Sequence, residues 1–86
     1  MRALFVGGKV DNSELDLDGD APPLRWPPDS GGRQPRYRLH QVGQRGGSTA
    51  YAVYAAPDMP DAEVDRIVEE RAYARRFEAR SQPAVR

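Results

Sequence analysis

The residues best equipped for chemistry are few. A single imidazole, His40, lies in the run Arg36-Tyr37-Arg38-Leu39-His40, and the chain has no cysteine. Without cysteine there is no thiolate nucleophile, no disulfide framework and no sulfur-ligated structural zinc. General-base chemistry at His40 would need a nucleophile and an orienting partner, and no Ser/Asp or second His accompanies it in the pattern. His40 therefore reads as a solvated strand residue among arginines. The segment Glu14-Leu15-Asp16-Leu17-Asp18-Gly19-Asp20 places oxygen ligands at alternate positions with Gly sixth, like the start of a calcium-binding EF-hand loop. The twelfth position of such a loop must supply a bidentate carboxylate, and here it is Arg25. An acidic edge strand, charged against sheet-to-sheet pairing, accounts for this segment better. No catalytic residue, cofactor or metal follows from these patterns, although sites built only from Asp and Glu stay open.

Two further motifs concern phosphate. Gly43-Gln44-Arg45-Gly46-Gly47-Ser48 is Gly-rich, yet it lacks the Gly-Lys-Ser/Thr ending of a phosphate loop and no helix follows. It reads as a hairpin turn. Ala50, Tyr51 and Tyr54 fit part of an RNA-recognition strand, but the basic residue is misplaced and the two-helix arrangement of that fold is missing. Arg36, Arg38 and Tyr54 form a secondary candidate surface, basic and aromatic, for single strands. The prolines at 22, 23, 27 and 28 are never three apart, so the spacing read by SH3-type grooves is absent.

The elements that must carry these residues are legible from periodicity. Residues 3–6 form a short strand stopped by Gly7-Gly8, and residues 13–18 alternate apolar and acidic side chains with Leu15 and Leu17 inward. These two pair as a hairpin. Residues 21–28 are extended by four prolines, with Leu24 and Trp26 expected to lie across the open end of the sheet as a lid, and residues 29–35 form a loop. In the second hairpin, Tyr37, Leu39 and Gln41 alternate with Arg36, Arg38 and His40. The returning strand, 49–56, puts Tyr51 and Val53 on one face and Tyr54 on the other. A helix follows from 60 to 79, capped by Asp58, with Pro60 in its first turn and Asp61 and Glu63 near the positive dipole end. The fold class is thus α+β: a small antiparallel sheet of two successive β-hairpins with one C-terminal helix. Residues 1–80 make one domain with a Pro/Gly-rich insert at 21–35, and residues 81–86 are expected as a disordered tail. The core should comprise Leu4 or Phe5, Leu15, Leu17, Leu39, Val53, Val64, Ile67 and Val68.

The helix carries the principal candidate surface. At about 100° per residue, Val64, Ile67 and Val68 cluster towards the sheet, but the same stripe continues as Arg71, Arg75 and Glu78. Tyr73 and Phe77, four residues apart, fall on roughly the opposite side beside Arg76 and Arg80. Either these rings pack on a loop such as the Trp26 segment, or Arg71, Tyr73, Arg75, Arg76, Phe77 and Arg80 form a partner-binding face.

Charge and length set the outer bounds. With 86 residues the chain has a modest core, and 13 basic against 13 acidic side chains leave a formal net charge of zero. Neutrality argues against wholesale nucleic-acid wrapping, so nucleic acid ranks behind protein as a partner. It is the sum of blocks, acidic over 10–24 and 58–70 (apart from Arg66), basic over 33–45 and 71–86 (apart from Glu78). Only Lys9 among the basic residues is a lysine, a bias that a GC-rich genome explains more simply than phosphate recognition does. No apolar run reaches membrane-spanning length, and the N-terminal residues lack the apolar core of a signal peptide, which points to a reducing cytoplasm and no membrane contact.

The opening Arg2-Ala3-Leu4-Phe5-Val6-Gly7-Gly8, the later Tyr37 and His40, the Val53-Tyr54 strand and the acidic start of the last helix resemble short accessory proteins of tailed bacteriophages. The likeness is one of layout over most of the chain, and it carries no assigned site. It departs from that layout in the long Pro-rich insert and the Arg-rich C-terminal extension. It implies a small non-catalytic protein, in the cytoplasm of a bacterial host, that binds and inhibits or redirects a host protein such as RNA polymerase or a defence complex. The same resemblance also admits a virion structural or assembly protein, which would self-associate into a homo-oligomer. A nucleic-acid-binding regulator using Arg36, Arg38 and Tyr54 is the third reading.

Overall fold

A computed structural model describes residues 1–27 and 36–84. Both hairpins form. In the first, β1 (Arg2–Val6) pairs antiparallel with β2 (Glu14–Asp16). In the second, β4 (Tyr37–Arg45) returns as β5 (Ser48–Ala55), with Arg45 opposite Ser48. Their two-residue connection, Gly46-Gly47, has φ of 58° and 84°, the left-handed pair that tight hairpins require.

The sheet that unites them is mixed rather than antiparallel. β1 and β5 lie side by side in parallel, from Arg2 opposite Tyr51 to Val6 opposite Ala55. Both are apolar runs buried on both faces, residues 3–6 and 51–56, which is the pattern of central parallel strands. The expectation of an antiparallel sheet failed because alternation within each hairpin carries no information about how hairpins abut. On the outer edge of β4 sit β3 (Arg25–Trp26) and β6 (Arg80–Pro83), both antiparallel to it. The strand order is β2-β1-β5-β4-β3, with β6 beside β4. Ser81–Pro83, expected within a disordered tail, instead join the open edge of β4, and residues 85 and 86 of that tail lie outside the described residues. The loop expected over 29–35 lies outside the described residues.

The helix is the second correction. It divides into α1 (Asp61–Arg71) and α2 (Tyr73–Phe77) at Ala72, whose φ of 55° is left-handed. A left-handed alanine costs about 1–2 kcal/mol. The break re-phases the chain so that Tyr73, 2% exposed, packs with Leu4, Val6, Tyr51, Val53, Val64 and Val68. Burying a large side chain contributes about 1.5–3 kcal/mol, enough to offset the strain. Asp58 does not cap the helix; Pro60 holds the N-cap position without a side-chain bond.

Opposite the helices, Ala3, Phe5, Ala52 and Tyr54 form a second cluster covered by Leu17, Trp26, Tyr37 and Leu39. Phe5 stacks on Tyr54 at 5.7 Å and meets Tyr37 edge-on at 5.3 Å. Trp26 thus performs the covering expected of it, whereas Leu24 is 63% exposed and Leu15, expected in the core, is 39% exposed on the outermost strand. No helix among the described residues is long and apolar enough to cross a membrane.

Candidate functional site

The expected partner-binding face on the distal helix is largely consumed by the protein itself. Phe77 packs on Tyr51 with ring centroids 5.2 Å apart, and Tyr73 lies 6.1 Å from the same ring. Room for this arrangement exists because residue 43 is glycine: the Tyr51 ring lies over its Cα, where any Cβ would collide. Arg71 reaches the first hairpin, donating to both carboxylate oxygens of Asp11 at 3.0 and 3.1 Å, to the Tyr73 hydroxyl at 3.2 Å and to the Phe5 carbonyl at 3.4 Å. Arg76 donates to Glu14 at 2.7 Å and lies 4.9 Å over the Phe77 ring. Of the six residues assigned to that surface, Arg75 and Arg80 alone are exposed and make no ion pair among the described residues. The angular reading failed because it assumed one unbroken helix.

The secondary surface is also dismantled. Tyr54 is fully buried and donates its hydroxyl to the Pro23 carbonyl at 2.8 Å, and burial pushes its pKa up to about 12. Its ring has no face left for a base. Arg38 donates to the Met59 carbonyl and pairs with Asp61 at 2.8 Å, while Arg36 sits half-buried just before β4.

Where the sequence suggested a solvated imidazole, the structure builds a site. The register of β4 against β5 shifts between Leu39 and Gln41, making His40 the extra residue of a β-bulge. Such a bulge locally re-aims side chains. Here it brings Gln41, expected beside Tyr37 and Leu39, onto the helix side next to His40. The His40 side chain is only 10% exposed, with Nε2 2.7 Å from Asp65 and Nδ1 3.6 Å from Asp61. Asp61 and Asp65 are four residues apart in the first turns of α1, so both carboxylates face the strand. That spacing was readable, but nothing in the sequence showed that this helix face would meet His40.

These groups line an open groove of about 820 Å³ at the place where β3 and β6 meet along β4. The Leu24 carbonyl accepts from the Leu39 amide at 3.0 Å and the Ala84 amide donates to the His40 carbonyl at 3.1 Å, so the two short strands abut across the bulge. Leu24 and Arg25 form one wall; Asp61 and Asp65 form another; Ser81, which donates to the buried Gln41 at 2.7 Å, closes the end. Among the described residues the buried Tyr51 hydroxyl makes no hydrogen bond, and burial raises its pKa. Among the described residues no group of His, Asp and Glu is arranged to hold a metal ion. His40 Nε2 meets Asp65 at hydrogen-bond distance and so ties the strand to the helix, while the 3.6 Å between Nδ1 and Asp61 is longer than a hydrogen bond. No family model, curated protein or solved structure matches the chain.

Proposed function

We propose that this chain is a small non-catalytic binding protein that attaches to a host protein and inhibits or redirects it, as its resemblance to phage accessory proteins implies. The contact surface is the groove across His40 rather than the distal helix. The observation that carries this reading is Leu24, 63% exposed at the rim of a groove lined by Arg25, Arg38, Asp61 and Asp65. An apolar anchor beside fixed charges of both signs is the anatomy of a protein contact: burial supplies affinity and the charges supply orientation.

Affinity capture from a bacterial lysate tests it, run in parallel with wild-type protein and Leu24→Asp. One host protein retained by wild type and weakened at least tenfold by Leu24→Asp, about 1.4 kcal/mol, is the expected result. Equal recovery by both proteins, or recovery of virion components alone, overturns it.

A further inference from the structure

We propose that copies of this chain associate head to tail through the two outer strands of the sheet, β2 of one copy pairing with β6 of the next. β6 also borders the groove through Ser81 and Pro83, but the pairing uses its outer edge and the Arg80 charge, whereas the groove contact rests on Leu24, so variants at Leu24 and at Arg80 tell the two proposals apart. β2 and β6 lie at opposite ends of the sheet, and each is hydrogen-bonded on one side only among the described residues. Every residue of both is exposed. Each therefore presents backbone groups that another strand can complete, although Pro83 at the end of β6 has no N–H to donate.

Charge selects which strand. β2 carries Glu14 and Asp16, and the chain continues through Asp18 and Asp20, both exposed and without an ion pair among the described residues. Asp16 pairs with Arg2 at 3.0 Å yet keeps 82% of its side chain exposed. At the other end, Arg80 begins β6, and Arg45 follows Gln44, the residue opposite Arg80. Among the described residues Arg45 donates to the Phe77 carbonyl and makes no ion pair. Charged edges protect a sheet against copies of the same edge. Here the two edges have opposite sign, so β2 repels β2 and β6 repels β6 while β2 and β6 attract. Symmetric edge-to-edge dimers are disfavoured and the heterologous contact is left.

Direction and level also agree. β1 and β5 run one way and β2 and β4 the other, so β6, antiparallel to β4, is antiparallel to β2. A lateral shift of one copy along its own sheet, combined with the rotation that strand twist requires, thus brings β6 beside β2 in the antiparallel sense, the more stable pairing. A single row crosses the sheet from Asp16 through Arg2, Tyr51 and Gly43 to Ser81. The same shift sets Ser81 level with Asp16 of the next copy and Arg80 one residue further, towards Asp18. Edges this short bury little surface, so the association is weak and salt-sensitive.

Sedimentation equilibrium at low and high salt tests the proposal, using Arg80→Glu and Asp18→Lys. Neither residue has an ion pair within the chain among the described residues, so circular dichroism should report an unchanged fold for both. Wild-type mass should climb with concentration beyond 9.6 kDa at low salt, without a plateau at two copies, and return towards monomer at high salt. Each reversal alone should weaken association at least tenfold. An equimolar mixture of the two variants, in which each supplies the complement of the other's reversed charge at the contact of positions 18 and 80, should restore it, and Leu24→Asp should leave it unaltered. A wild type that stays monomeric, a dimer indifferent to both reversals, or a mixture that fails to associate overturns the proposal.

Discussion

The two ends of α1 are tied to the sheet by the same chemistry and come out differently. At the C-terminal end, Arg71 crosses to the first hairpin, where Asp11, the Phe5 carbonyl and the Tyr73 hydroxyl absorb its donors. At the N-terminal end, Asp61 and Asp65 meet Arg38 and His40 across β4. The first junction sits over packed rings, and the Arg71 side chain is only 23% exposed. The second opens into a groove, because the strands that should seal the edge of β4 are two short ones meeting at a bulge. An ion pair in a sealed junction serves the fold, whereas one that borders a groove is available to a partner. Charge patterning alone does not distinguish them.

Breaking the sealed side should have the largest effect. Tyr73→Ala removes a buried ring and leaves Tyr51 without its neighbour, so it should destabilise the protein by about 3–5 kcal/mol in urea unfolding. Loss of that size in an 86-residue domain approaches its whole stability. An unchanged midpoint would mean that Tyr73 is not part of the core and would return it to the surface.

A smaller effect belongs to the charges over the same junction. The Asp11 carboxyl is held below its ordinary value of 3.8, first by the Gly7 amide and then by Arg71, while Arg76 holds Glu14 below 4.5. Both carboxyls have folded-state values lower than unfolded ones. Their stabilisation is complete above the ordinary values and is lost as pH falls through the lowered ones. Asp11→Asn retains an acceptor for Gly7 but not the charge for Arg71. It should cost roughly 1 kcal/mol at neutral pH, discounted because the carboxylate is 44% exposed, and should flatten the acid limb of the stability curve. An acid limb identical to wild type would show that the Arg71 contact contributes nothing.

The parts of this fold that were legible in sequence are those fixed by local rules. Alternation located both hairpins and placed Tyr51 and Tyr54 on opposite faces, and the helical period marked Val64 and Val68 as core. Ala72 was not legible: alanine is the best helix former, and the left-handed turn it adopts goes with the packing of Tyr73 against residues distant in the chain. Likewise the parallel pairing of β1 with β5 and the contact of His40 with Asp65 join residues far apart in the chain. The sequence pattern supplied His40 and the i,i+4 pair separately, and the bulge and the packing of α1 brought them together.

The smallest stability effect should come from the open side, and it sharpens the contrast most. Asp65→Asn keeps a hydrogen-bonding group opposite the His40 Nε2 and removes a charge whose side chain is 63% exposed. Exposed pairs of this kind contribute about 0–1 kcal/mol, so the urea midpoint should scarcely move. If the groove is the contact surface, the same change alters the charge that a partner meets beside Leu24 and Arg25, and it should shift the association rate and its salt dependence. The sealed junction predicts the reverse ranking, with Asp11→Asn lowering stability and leaving partner binding intact. A stability loss at Asp65→Asn as large as at Asp11→Asn would show that both junctions are structural and that the groove is a by-product of the bulge.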